Sequence, residues 1–124
     1  QHQQIETEHL LKALLEQDGL ATSVFNKLDV NVAQMRDRAD EFLRRQPKVS
    51  NTGGNVYLGR SLDTLLDRAE QYRQQYGDEF ISVEHLLLGY GQDDRLGKAL
   101  FAEFKLDERK LKAAIDQIRG SQKV

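Results

Sequence analysis

The sequence predicts an all-α fold in which two pseudo-repeats of a small helical bundle share one core. Apolar residues recur at helical spacing almost throughout the chain, and the lone proline, Pro47, lies in the one stretch that lacks this spacing. A shift of 76 positions aligns residues 5–11, IETEHLL, with residues 81–87, ISVEHLL, and no gap is needed further along the chain. An internal duplication is therefore the strongest structural signal in the sequence.

Length and composition favour one compact domain without nucleic-acid or membrane partners. The 124 residues are 39% apolar, and 18 basic against 20 acidic side chains leave a charge of -2, which gives no general attraction to phosphates or anionic lipids. No apolar run could span a bilayer, and no leader opens the chain. The absence of cysteine excludes disulfides and thiolate chemistry. We expect a cytoplasmic protein, and a first residue other than methionine indicates a piece of a longer one.

The predicted boundaries follow from the turn-forming residues in the middle of the chain. Residues 1–124 form a single domain, with repeat one at residues 1–45 and repeat two at residues 61–120. Between them, residues 46–60 are rich in glycine, asparagine and serine and predict a linker. Residues 121–124 are interpreted as the start of an exit linker.

Each copy is predicted to open with a helix and to close with a longer one. The opening helices cover residues 7–17 and 83–90, and the hydroxyl residues Thr7 and Ser82 are the predicted N-caps. Short helices are predicted around Phe25 and Phe101. The closing helices are predicted to begin at the N-caps Asn31 and Asp107, and the second of them to end at Gly120.

One more helix precedes the second copy and has no counterpart in the first. Ser61 is its predicted N-cap and Gly77 its end. Its apolar stripe consists of Leu62, Leu65, Leu66, Ala69, Tyr72 and Tyr76. The 76-residue shift places the equivalent helix before Gln1, so the first copy is predicted to lack its opening helix. We therefore expect an exposed apolar patch on the first copy, formed by Leu10, Leu11, Leu14 and Phe25, beside buried Leu86, Leu87, Tyr90 and Phe101.

The sequence offers no constellation for catalysis or for a metal. His9 and His85 occupy equivalent repeat positions, which favours packing or helix-start roles over metal ligation. The segment at residues 91–98 has the wrong spacing for a phosphate-binding loop. A hydrolase that uses Glu84 and His85 is disfavoured because adjacent helical residues point about 100° apart. We expect a chain that is not an enzyme and has no cofactor.

An acidic and aromatic cluster is the strongest candidate for a binding surface. Asp78, Glu79 and Glu84 carry one sign of charge and lie in sequence near Tyr72 and Phe80. Exposed aromatic side chains beside carboxylates are a common composition of binding surfaces. The structural alternative is that Asp78 caps a helix and that Glu84 interacts with a helix dipole. Both positions look exposed in the sequence, and the two interpretations stay open.

Four segments together resemble the ClpB N-terminal domain family. They are the duplicated Ile-x-x-Glu-His-Leu-Leu helix, the stretch QPKVSNTGGNVYLGRSLDTLLDRAE, the segment GDEFISVEHLLL and the exit QIRGSQKV. The resemblance covers essentially the whole chain. It implies a domain tethered to a hexameric ATP-driven ring, which threads aggregated proteins through its pore together with a DnaK-type chaperone. ATP and magnesium would be bound by modules absent from this chain.

The resemblance also implies where unfolded or aggregated polypeptides bind. The motif carries over to Asp78 and Glu84, and the groove walls fall on Leu66, Tyr72, Phe80 and His85. A threonine near the start of the family's first helix has no counterpart in this sequence. The expected function is engagement of exposed apolar segments, and the alternative is docking of a folded adaptor of a Clp protease-type complex. For a eukaryotic source, the expected location is an organelle matrix or stroma.

Overall fold

The computed structural model describes residues 3–16, 19–46 and 56–120. Over these ranges the elements in chain order are β1 (Gln3–Ile5), α1 (Thr7–Glu16), α2 (Leu20–Lys27), α3 (Val32–Arg45), β2 (Val56–Leu58), α4 (Arg60–Tyr76), α5 (Val83–Tyr90), α6 (Gly97–Glu103) and α7 (Glu108–Arg119). The all-α fold class is confirmed. The sequence did not predict the two short strands, which pair in parallel with Ile5 opposite Leu58. No helix within the described ranges is long and apolar enough to cross a membrane.

The duplication is visible in the backbone as well as in the sequence. Helices α1, α2 and α3 correspond to α5, α6 and α7 under the same shift. Asp29 and Lys105, which are equivalent, both have a φ of 59°, a left-handed conformation that few residues other than glycine adopt. In each copy the next N–H returns to an aromatic residue's carbonyl oxygen, at 2.9 Å for Phe25 and 2.8 Å for Phe101. The two copies therefore share the same turn between their second and third helices.

The two copies bury their apolar faces against each other in one core. The equivalent rings of Phe25 and Phe101 meet edge to face, with centroids 5.9 Å apart and an interplanar angle of 83°. The ring of Tyr90 lies against the ring of Phe101, with centroids 5.5 Å apart. Such aromatic pairs contribute about 1 kcal/mol each beyond their buried area. Fully buried residues around them include Leu11, Leu15, Val24, Met35, Ala39, Leu87 and Ile115.

Most of the predicted helix ends are confirmed. The side chains of Asn31 and Asp107 accept hydrogen bonds from the backbone N–H three residues further on, at 3.1 and 2.8 Å. Gly77 ends α4 with a φ of 71°, which only glycine adopts without strain. Gly120 follows the last residue of α7. These ends could be predicted because each depends on one residue and its neighbours in sequence.

Two predicted N-caps are wrong because contacts between residues far apart in sequence determine both helix starts. Thr7 is the first residue of α1, and its hydroxyl donates to the buried carboxylate of Asp93 at 2.9 Å. Ser61 lies inside α4, which follows Gly59. The buried carboxylate of Glu6 takes the capping role instead and accepts from the N–H of the third residue of α4 at 3.4 Å. A carboxylate there also interacts favourably with the helix dipole.

The exposed apolar patch expected on the first copy is absent from the residues that the structure describes. Leu11 and Phe25 are fully buried, like their equivalents Leu87 and Phe101. The other two pairs are Leu10 and Leu86, both partly buried, and Leu14 and Tyr90, of which only Tyr90 is fully buried. The expectation was wrong because α2, α3 and α4 all contact α1 and close the first copy.

Candidate functional site

The turn between α4 and α5 presents two large apolar side chains to solvent. Phe80 is 76% exposed and Ile81 is 41% exposed, and we call these two residues the apolar pair. Within the described ranges, the other large apolar side chain exposed to this degree is Leu58. Leu58 precedes α4 and the apolar pair follows it, and a helix of 17 residues is about 25 Å long. The two exposed apolar sites therefore lie near opposite ends of α4.

Asp78 is held in a network of hydrogen bonds and is not free on the surface. Arg119 donates to both of its carboxylate oxygens, at 2.9 and 2.7 Å, and His85 lies 2.7 Å away. The Arg119 guanidinium holds the pKa of Asp78 below its ordinary value. The Asp78 side chain is only 12% exposed, so the expectation that this position is exposed is wrong. Asp78 ties the turn to α7, a contact that the sequence could not show.

His85 is fully buried and uses both of its ring nitrogens. Its Nδ1 accepts the N–H of Ser82 at 2.9 Å, so in the neutral ring the proton lies on Nε2, which donates to Asp78. Ligand atoms of Asp78, Glu84 and His85 lie within 4.8 Å of one another, as a metal site would require. Because neither nitrogen of His85 has a free lone pair, the geometry favours a structural role over metal binding or acid–base chemistry.

Packing or helix-start roles were predicted for the two equivalent histidines, and hydrogen bonds at both helix starts confirm the second of these. In the first copy the N–H of Glu6 donates to Nδ1 of His9 at 2.9 Å, the same distance as in the Ser82 and His85 pair. Each histidine thus satisfies one backbone donor just before a helix.

Glu84, like Glu79, has no ion-pair partner among the described residues, whereas Asp78 is paired with Arg119. The hydroxyl of Ser82 donates a hydrogen bond to Glu84, and the residue is partly buried in the first turn of α5. As an acidic side chain in the first turn of α5, Glu84 interacts favourably with the helix dipole. Glu84 and the exposed Glu79 therefore add negative charge to the turn that carries the apolar pair.

Tyr72 and Leu66 lie on α4, away from the turn. Tyr72 is buried, and its hydroxyl bonds with Glu108 and Gln92. Burial and the bond to Glu108 raise the pKa of Tyr72. Leu66 is partly buried on the same helix. The structure therefore brings Asp78, Glu84 and His85 together and exposes Phe80 on the same turn, while Leu66 and Tyr72 lie on the preceding helix α4.

Two residues that the sequence analysis did not select contribute to this region. Ile81 extends the apolar surface of Phe80, and its position beside Phe80 in the segment GDEFISVEHLLL was a signal that could have found it. Arg119 neutralises Asp78 and also lies over the ring of Tyr76, at 4.8 Å from its centroid. No sequence signal links Arg119 to a residue 41 positions away.

The equivalent glutamate of the first copy is buried and paired. Arg95 donates two hydrogen bonds to Glu8, at 2.7 and 2.9 Å, and the Glu8 side chain is only 1% exposed. Burial alone would raise the pKa of Glu8, but the hydrogen bonds from Arg95 and the backbone outweigh it and lower the pKa. The first copy thus uses its glutamate to join the two halves of the fold.

Comparisons with known proteins agree with the fold and place this duplicated helical domain in a family. The model of the Clp repeat (R) N-terminal domain matches residues 1–104. The chain is 67% identical to the Chaperone protein ClpB of Leptolyngbya boryana over 125 residues. It is 47% identical over 124 residues to the Chaperone protein ClpB2, chloroplastic, of Oryza sativa subsp. japonica. These alignments cover 100% and 99% of the chain but only 14% and 13% of the two relatives.

A solved structure shows the same fold at low sequence identity. The crystal structure of the Hsp104 N-terminal domain from Candida albicans superposes with a TM-score of 0.81 at 20% identity. The match covers 98% of this chain and 80% of that one. The chain belongs to the Clp N-terminal domain family. Over its whole length it is similar to the N-terminal region of ClpB chaperones.

Proposed function

We propose that the chain is the protein-binding N-terminal domain of an ATP-dependent ClpB disaggregase. It engages exposed apolar segments of unfolded or aggregated polypeptides. The observation that carries this proposal is the apolar pair, Phe80 and Ile81, exposed on the turn that precedes α5 and its first-turn carboxylate, Glu84. The similarity to ClpB chaperones supports it.

The site residues divide between contact and support. Phe80 and Glu84 contact the substrate, while Asp78 and His85 hold the turn in place through Arg119 and the start of α5. On α4, the partly buried Leu66 is the wall residue that a substrate reaches, and the buried Tyr72 supports the helix behind it. With this division, a substrate segment buries its apolar side chains on the turn without disturbing the buried network below.

Weak and promiscuous binding follows from the size of the surface. Covering an aromatic and an aliphatic side chain removes about 300 Å² of apolar surface from water, or about 7 kcal/mol at roughly 25 cal/mol per Å². Loss of translational and rotational freedom offsets much of this gain. We expect a micromolar or weaker dissociation constant. Six domains on a hexameric ring raise the effective concentration for a long unfolded chain.

The rest of the machine lies outside this chain. The ATP and magnesium sites belong to the ring modules of the parent protein, and a DnaK-type chaperone cooperates with it. The parent acts in the bacterial cytosol or, for a eukaryotic source, in an organelle such as the chloroplast, which the name of the rice relative gives for that protein.

Titration of the 124-residue chain with an unfolded model protein tests the proposal. We expect saturable binding that the same protein in its native state does not reproduce. Equal binding of native and unfolded forms would contradict the proposal. Stoichiometric binding of a folded partner, insensitive to unfolded competitors, would instead identify adaptor docking.

A further inference from the structure

In the first copy, the segment before α1 pairs with a second strand, and the duplication places an equivalent segment before α5. In the first copy, residues 3–5 form β1 and pair in parallel with Val56–Leu58, the extended segment VYL. The N–H of Gly59 extends this ladder with a hydrogen bond to the carbonyl oxygen of Ile5, at 2.8 Å. The shift of 76 positions makes residues 79–81 equivalent to residues 3–5. The second copy therefore has a segment equivalent to β1 in front of α5.

In the second copy this segment has no strand beside it. Within the described ranges, no hydrogen bond involves a backbone N–H or carbonyl group of Glu79, Phe80 or Ile81. Two of the three side chains are exposed apolar groups. The backbone groups that the first copy pairs within its own chain are thus unpaired in the second copy, beside two exposed apolar side chains.

We propose that residues 79–81 bind an extended apolar segment of an unfolded polypeptide by parallel backbone pairing, as β1 binds β2 within the chain. The inference rests on the proposed function and adds the backbone conformation of the substrate. Adding a strand gives affinity through main-chain hydrogen bonds that every polypeptide can make, and the contacts of every second side chain determine which sequences bind best. This explains how one small turn recognises many unrelated apolar segments.

The local geometry sets the order in which the pairing forms. The turn bends at Glu79 and Phe80 in the free chain, while Ser82 is extended, with φ and ψ of -126° and -178°. Pairing therefore begins at Ile81, next to backbone that is already extended, and residues 79 and 80 straighten as it proceeds. Glu79 is exposed and Glu84 has no cationic partner among the described residues, so segments with acidic flanks bind less well.

A peptide with a blocked backbone donor tests strand pairing directly. The probe is a seven-residue peptide that carries VYL between neutral glycine and serine residues, titrated into the full isotope-labelled chain. N-methylation of the residue after VYL removes the donor equivalent to the N–H of Gly59. We expect this change to weaken binding by about tenfold or more. N-methylation at the last residue should leave the affinity within about twofold, and amide shifts should concentrate at residues 79–82.

The outcomes separate this inference from the proposed function. Binding that shifts residues 79–82 but is insensitive to N-methylation overturns strand pairing and leaves the apolar site intact. Shifts confined to residues 3–6 mean that the peptide displaces β2, which also overturns the inference. No binding of the unmodified peptide, in a chain that still binds an unfolded protein, overturns it too. No binding of either probe contradicts the proposed function itself.

Discussion

The two copies carry the same Glu-His dipeptide in the first turn of the equivalent helices α1 and α5, but they bury opposite members of it. In the first copy Glu8 is buried against Arg95 and His9 is exposed. In the second copy His85 is fully buried against Asp78, and Glu84 is only partly buried. The same motif thus serves the architecture in one copy and leaves a charge at the surface in the other. Its role depends on the residues that surround it.

The asymmetry has an identifiable cause at position 19. Arg95 of the second copy neutralises Glu8 of the first copy across the core. Under the 76-residue shift, the reciprocal partner of Glu84 would stand at position 19, which is Gly19. Glycine supplies no charge there. The lack at Glu84 of an ion pair like that of Glu8 is therefore explained by one missing cation in the pseudo-symmetric arrangement.

The largest effect is expected at position 97, where the first copy has Ala21 and the second has Gly97. A Cβ added to Gly97 would lie 1.9 Å from the backbone carbonyl oxygen of Tyr90. Because backbone yields less easily than a side chain, Gly97→Ala should lower the free energy of unfolding by about 3 kcal/mol. Urea denaturation measures the change. Gly19→Ala is the control, since no atom lies within 4 Å of a Cβ added there. Equal losses of unfolding free energy in the two variants would contradict the claim that, of these two glycines, only Gly97 is packed too tightly for a side chain.

The next effect concerns the ion pair that closes the first copy. Arg95→Met leaves the carboxylate of Glu8, only 1% exposed, without its cation. Stranding a buried charge should lower the free energy of unfolding by about 2 kcal/mol. Adding Glu8→Gln removes the stranded charge, so the double variant should be more stable than Arg95→Met alone. A double variant that is no more stable would show that the pair does not carry the contact between the copies.

A pH-dependent effect is expected in the second copy. The folded-state pKa of Asp78 is lowered by Arg119, so the contribution of this pair is present at neutral pH and is lost as pH falls through that value. Between neutral pH and a pH below about 4, the free energy of unfolding of the wild type should fall by about 1 kcal/mol more than that of Asp78→Asn. Glu8 titrates in both proteins and cancels in the difference. Parallel stability curves over the acidic range would rule out the contribution of Asp78.

The smallest effect on stability comes with a clear effect on binding. Gly19→Arg supplies the missing cation at a position with space for a side chain. We expect the free energy of unfolding to change by less than about 0.5 kcal/mol. Affinity for an unfolded protein should fall several-fold, as in Glu84→Gln, because the new arginine neutralises the same carboxylate charge that Glu84→Gln removes. If the losses of affinity add up in the double variant Gly19→Arg with Glu84→Gln, the arginine acts at a site other than Glu84.

The sequence predicted the features of the fold that depend on local or periodic signals. The duplication and the caps at Asn31, Asp107 and Gly77 were all readable from residue types and spacing. The helix-start role of the two histidines followed from their equivalence.

The site could be predicted only in part because its charges depend on partners far away in sequence. Asp78 looked exposed, and its contact with Arg119 spans 41 positions. Thr7 looked like a cap, and its contact with Asp93 spans 86 positions. Which carboxylates stay open is decided by tertiary packing. A motif alone therefore points to the turn that carries the apolar pair but does not give the roles of the residues in it.

The most direct test compares the two exposed apolar sites at opposite ends of α4. Phe80→Ser with Ile81→Ser removes the apolar pair, and Leu58→Ser is the matched control, since Leu58 is 54% exposed. Affinity for an unfolded model protein is measured for each variant after its thermal unfolding confirms an intact fold. We expect the first variant to bind at least about tenfold more weakly and the control to bind like the wild type. Unchanged affinity without the apolar pair, or an equal loss in Leu58→Ser, would contradict the assignment of binding to the turn of the second copy.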